Sequence, residues 1–79
     1  KDLHQREPGR SDLARDLWVS YIKLGDTLGA QGHGDQALAY YQQALTIAKD
    51  LHQREPGRSD LARDLSVSYI KLGDAVSAL

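Results

Sequence analysis

Residues 1–26 and 49–74 carry the same sequence, KDLHQREPGRSDLARDL(W/S)VSYIKLGD, and differ only where Trp18 of the first copy becomes Ser66 of the second. Near-identical segments fold alike and stack, so the duplication restricts the chain to a repeat architecture before any residue is considered for chemistry. The offset, 49 minus 1, sets a period of 48 residues. That period lies in the range of helical-hairpin arrays, in which one unit is too small to bury its own apolar face. A chain of 79 residues cannot complete it twice: it enters inside the unit at Lys1 and reaches Leu79 before the second copy arrives at a counterpart of GHGDQALAYYQQALTI. On sequence alone it reads as an excerpt of a longer array or as an engineered chain.

Punctuation and apolar spacing place the helices. Pro8-Gly9-Arg10 and Pro56-Gly57-Arg58 are breakers, each followed by Ser-Asp, which offers a cap at Ser11 or Ser59 and an acidic first turn at Asp12 or Asp60. From there Leu13, Leu17, Tyr21, Leu24 and Leu28 recur at intervals of three and four, lining one face of a helix, and Leu61, Leu65, Tyr69, Leu72 and Val76 repeat the pattern. Gly32-His33-Gly34 supplies a tight reversal and Asp35 a cap for the next helix. This second helix presents Ala37, Tyr41, Ala44, Ala48 and Leu51 on one side and is limited by Pro56. The expected class is all-α: a stub over 1–8, a first helix over 11–31, a second over 35–55 and the first helix of the next unit over 59–79. Short connections make neighbours antiparallel. Gly25 and Gly73 fall inside helices, where glycine costs ~1 kcal/mol against alanine unless a neighbour approaches closely.

Tyr21-Ile22-Lys23-Leu24-Gly25, followed by Leu28, Gly32, Ala37, Tyr41, Ala44 and Leu45, resembles the tetratricopeptide repeat, in a long form similar to bacterial members of that family. Two positions depart from the family pattern: Leu28 and Val76 stand where it sets a mid-helix aromatic, and Lys49 stands where it sets a proline. The resemblance implies TPR-like antiparallel hairpins forming an α-solenoid fragment, and a non-catalytic scaffold that binds a protein or peptide along the concave wall of first helices. Carried over by position, that wall is Val19, Ile22, Lys23, Asp26 and Ala30 in one copy and Val67, Ile70, Lys71, Asp74 and Ala78 in the next. With Ile and Asp at key places, a clamp for a terminal carboxylate is not expected, and an amphipathic or extended partner segment is favoured. Alternatively, Ile22 and Ile70 fill the seam between adjacent first helices.

Other chemistries find little support in the sequence. No cysteine is present, so thiolate nucleophiles and thiolate metal sites are excluded. His4 and Glu7, like His52 and Glu55, are spaced to share a helix face, but two ligands at a helix end do not make a metal site, and His33 sits in a turn. There is no nucleophile elbow or phosphate-binding glycine loop, and no cofactor is expected. Arg10, Arg15, Arg58 and Arg63 are interleaved with Asp12, Asp16, Asp60 and Asp64, with Asp12/Arg15 and Asp60/Arg63 as candidate pairs. The net charge is -1. Neither fact suits nucleic acid. No apolar run approaches the ~20 residues needed to span a bilayer and no signal peptide is seen, which favours the cytoplasm.

Trp18, the single difference in the duplicated block, is expected to serve capping or assembly, since a large aromatic buries ~150 to 250 Å². This opens a second function class, a structural, self-assembling repeat unit. No counterpart of the second helix comes after residues 59–79, so Leu65, Tyr69, Leu72 and Val76 keep an uncovered side, and a homo-oligomer formed through these residues and Trp18 is the expected cover.

Overall fold

The computed structural model describes the backbone of residues 2–78 and the side chains of residues 12–78. Three helices succeed one another, α1 (Asp2–Ala30), α2 (Gly34–Arg54) and α3 (Ser59–Ala78). The fold of the described residues is all-α. α2 packs against both α1 and α3. Gly25 and Gly29 of α1 face Tyr41 and Ala37 of α2, so these two helices run antiparallel. α1 and α3, the two copies, lie side by side in the same direction, joined by side chains: Arg15 to Asp64, Trp18 to Ser68 and Asp26 to Lys71.

The first reversal depends on Gly32. Its φ of 86° is the left-handed geometry that glycine tolerates and that closes a helix. The His33 N–H donates to the Leu28 carbonyl at 2.8 Å and the Gly32 N–H to that of Gly29 at 3.1 Å, which satisfies two carbonyls left over at the end of α1. His33, not Asp35, occupies the cap position of α2 and makes no side-chain cap bond, while the Asp35 carboxylate accepts the Gln36 N–H. Asp35 is therefore a first-turn acid favoured by the helix dipole.

The second reversal, Glu55 to Arg58, is held by one guanidinium. Arg58 donates to Glu55 at 3.1 Å and, through two nitrogens, to Asp60 at 3.2 and 2.7 Å. Hydrogen bonding from Arg58 is the main reason the Asp60 carboxyl is held below its ordinary value. Leu51 and Leu61, both buried, lie on either side of this turn.

At 7–10 the same four residues behave differently. α1 runs without interruption from Asp2, through the Pro8-Gly9 pair where the sequence predicts a break and a separate stub. A proline inside a helix costs ~3 kcal/mol, yet the helix continues through this one. The reversal at 55–58 is therefore not inherent in the tetrapeptide; it forms where α2 and α3 have buried faces to bring together. Ser11 lies inside α1, so the helix start expected there is not found, and the side chains of His4 and Glu7 lie outside the described residues.

The buried stripe of α2 is the one the periodicity predicts: Ala37, Tyr41, Ala44, Ala48 and Leu51. Three alanines in this stripe keep α2 close to both neighbours. The buried face of α1 is only partly the one predicted: Tyr21 and Leu28 pack half-buried against the core. Leu13, Leu17 and Leu24 are exposed, and Trp18, Ile22 and Gly25 turn inward in their place. Their counterparts explain why. Leu61, Leu65 and Leu72, whose duplicated surroundings differ only at Trp18 and Ser66, are buried or half-buried, whereas among the described residues no helix covers the same side of α1. The first-helix sequence thus carries two faces made for burial, and each copy has a different one covered.

Paired substitutions at duplicated positions test this packing. Leu61→Ala, at 0 % exposure, is expected to cost ~2 to 5 kcal/mol by opening a cavity, and Leu13→Ala, at 68 % exposure, less than ~1 kcal/mol; equal melting temperatures for the two variants would reject the assignment. Glycines give a second pair. A Cβ at Gly25 would sit 2.5 Å from the Tyr41 ring, while at Gly73 it would meet nothing within 4 Å. Gly25→Ala is expected to destabilise, and Gly73→Ala to stabilise by up to ~1 kcal/mol through helix propensity, both read from denaturant midpoints.

Candidate functional site

A cleft of about 370 Å³ opens where the last turns of α1 and α3 flank the start of α2. Ala37, Ala75 and the Tyr41 ring form its floor, and Asp26, Lys71 and Asp74 bring charge to its edge. Local sequence puts each group there. Asp26 comes directly after Gly25, whose missing side chain admits the Tyr41 ring, and the ring's hydroxyl then donates to the Asp26 carboxylate. A buried tyrosine needs such a partner for its polar tip. Lys71 arrives from α3 and donates to both oxygens of Asp26, at 3.0 and 3.1 Å. This one carboxylate therefore joins residues of all three helices.

The electrostatics are set by that arrangement. Burial first, then the hydrogen bond to Asp26 and the nearby charges of Asp26 and Asp74, push the Tyr41 hydroxyl well above its ordinary value. Asp74 lines the cleft and has no hydrogen bond or ion pair of its own among the described residues, which leaves an acidic group facing the open space.

Of the residues the sequence assigns to a partner-binding wall, Asp26, Lys71, Asp74 and Ala78 come together at this cleft. Val19, Lys23, Ala30 and Ile70 are exposed elsewhere, and Val67 is half-buried against the core. Ile22 is buried in the core and so is withdrawn from any exposed wall, whereas its duplicate Ile70 is 62 % exposed. Sequence reading places Tyr41 in the core but misses its polar end. The available signal was a hydroxyl-bearing residue in an otherwise alanine-rich buried stripe.

Trp18 needs a correction as well. The sequence suggests an outer capping or assembly residue, but Trp18 is only 8 % exposed and packs inside the chain. Its indole N–H donates to the Ser68 hydroxyl at 2.7 Å, and that hydroxyl donates in turn to the Asp64 carbonyl at 2.9 Å. The Asp64 carboxylate, itself buried, receives Arg15 through two nitrogens at 2.7 and 3.0 Å. That bidentate geometry compensates the buried charge, and hydrogen bonding to Asp64 is the first cause raising Arg15 above its ordinary value. The Asp12/Arg15 and Asp60/Arg63 helix pairs are not formed: Arg15 reaches across to α3 and Asp60 pairs with Arg58. Of the other residues assigned to self-association, Leu65 and Leu72 are half-buried against the core and Tyr69 and Val76 are exposed.

Among the described residues no group of three or more histidine, aspartate or glutamate side chains is placed to hold a metal ion, and no helix is long and apolar enough to cross a membrane. Comparisons with protein-family models, curated proteins and solved structures find no match to this chain.

The raised Tyr41 hydroxyl makes a pH prediction with a definite sign. The folded state holds this proton more tightly than the unfolded chain, so its contribution is complete below the ordinary value of 10.0 and is lost as pH rises beyond it. Tyr41→Phe is expected to lower stability near neutral pH by ~1 to 3 kcal/mol, through loss of a hydrogen bond to a charged acceptor, and to flatten the decline in melting temperature above pH ~10. An alkaline limb identical in both proteins would rule out this role.

Proposed function

We propose that this chain is a non-catalytic, tetratricopeptide-like repeat scaffold that takes a partner segment at the cleft bounded by Asp26, Lys71 and Asp74. The 48-residue duplication, the helical hairpins and the alanine stripe of α2 support the family reading. The observation that carries the binding reading is the character of the cleft. Its floor is small and apolar at Ala37 and Ala75, and its edge holds one carboxylate already engaged by Lys71 and Tyr41 beside another, Asp74, that is not. Such a surface suits an amphipathic segment with small apolar side chains on the floor and a lysine or arginine directed at Asp74. The paired Asp26 and Lys71 contribute position and rigidity, and Asp74 contributes charge selectivity.

A panel of basic amphipathic peptides titrated into isotopically labelled protein tests this reading. The expected amide shifts cluster at Asp26, Lys71, Asp74 and Ala75, and Asp74→Lys weakens binding by about ten-fold, the equivalent of ~1.4 kcal/mol. Shifts confined to the outer side of α2, or affinity indifferent to Asp74→Lys, would overturn it.

A further inference from the structure

We infer that a second copy of this chain docks head to tail, its α1 against the outer side of α3, through ion pairs that repeat those already formed inside the chain. This goes beyond the cleft reading and shares only Asp74 with it. Inside the chain, Arg15 pairs with Asp64 and Asp26 pairs with Lys71. Asp64 is the duplicate of Asp16, and Lys71 is the duplicate of Lys23, 48 positions earlier. The step from α1 to α3 therefore joins position 15 of one copy to position 16 of the next, and position 26 to position 23.

The duplicates that would continue the series are present and unused. Arg63 and Asp74 on α3 are the counterparts of Arg15 and Asp26, while Asp16 and Lys23 on α1 are the counterparts of Asp64 and Lys71. All four are exposed, and none has an ion pair among the described residues. Applying the same step once more sets Arg63 against Asp16 of the second copy and Asp74 against Lys23 of the second copy. Charge is thus complementary at both places, and the polar groups on the outer side of α3 repeat those that α1 presents to α3 inside the chain.

The apolar residues obey the same logic. Trp18 and Ile22 are buried on the side of α1 that meets its neighbours, while the duplicate Ile70 and the adjacent Tyr69 are exposed on α3. On α1 the side that continues the series, Asp16, Ser20 and Lys23, is likewise exposed. A contact between two different faces is heterologous, so it generates a ring or an open chain of copies and not a two-fold pair. Ser66 tunes its strength. Where Trp18 donates to Ser68 inside the chain, Ser66 would meet Ser20 of the second copy, a smaller and weaker filling.

Charge exchange at the Arg63 and Asp16 pair tests the interface without touching the core, since both side chains are exposed. Sedimentation velocity over a concentration series should show the parent growing beyond monomer mass, and Arg63→Asp or Asp16→Arg alone should each abolish that growth while helicity and melting temperature stay unchanged. Mixing the two single variants should restore assembly as an alternating series, because each mismatched end then finds its opposite charge. Ser66→Trp should lower the dissociation constant by about ten-fold, by supplying the indole that Trp18 supplies within the chain. A parent that stays monomeric at every concentration, a single variant that associates as the parent does, or a mixture that stays monomeric would each overturn the proposal. Because these substitutions leave Asp26, Lys71 and Asp74 in place, peptide binding at the cleft is read separately in the monomeric single variants, where no Lys23 of a second copy competes for Asp74.

Discussion

The contact between Tyr41 and the Gly25-Asp26 pair sets the geometry of the whole molecule. The ring occupies the space where a Cβ at residue 25 would lie, so the distance between α1 and α2 depends on that glycine. Its hydroxyl fixes the Asp26 carboxylate, and the carboxylate receives Lys71 from α3. A helix-interior glycine weakens α1 by ~1 kcal/mol in isolation. Burial of an aromatic ring and a hydrogen bond to a charged acceptor offset it. The cleft lies beside this junction because the same three residues that join the helices also line it.

A second polar junction, toward the other end of the α1 and α3 pair, joins Arg15 to Asp64 and Trp18 to Ser68. Between the two junctions the direct contact between these helices is made largely by side chains, with α2 supplying the apolar seal. Buried polar groups of this sort add little net stability if they are replaced together, but removing one partner leaves a desolvated group unpaired. They therefore specify which helix turns sit opposite each other. Arg15 cannot move by one turn along α3 without abandoning a buried carboxylate.

The duplication makes the chain its own comparison. Identical leucines are buried at 61 and exposed at 13, and identical isoleucines are buried at 22 and exposed at 70. Within each pair the residues are identical and the duplicated block around them differs only at Trp18 and Ser66, so the difference arises from what packs on top. The Trp18 to Ser66 change matches that asymmetry: the large aromatic lies where α3 covers it and the small hydroxyl lies on an exposed face.

Much of the fold was legible in the sequence. The two duplicated segments require like helices, the spacing of Ala37, Tyr41, Ala44, Ala48 and Leu51 marks the buried face of α2, and Gly32 marks the first reversal, because each of these rests on backbone geometry and period alone. Which face of α1 is buried was legible only at Tyr21 and Leu28. Leu13, Leu17 and Leu24 form as good a stripe as Trp18, Ile22 and Gly25, and periodicity reports that a face is suited to burial without saying whether a neighbour is there to cover it. The candidate site was half legible. Asp26, Lys71, Asp74 and Ala78 all belong to the wall read from the repeat, with Asp26 and Asp74 one repeat apart, but the role of the Tyr41 hydroxyl depends on a contact between residues 15 positions apart, set by the antiparallel register. The reversal at 55–58 was decided in the same way. Its residues also occur at 7–10 inside a helix, and only the burial of Leu51 and Leu61 on either side, with Arg58 spanning Glu55 and Asp60, turns that sequence into a bend.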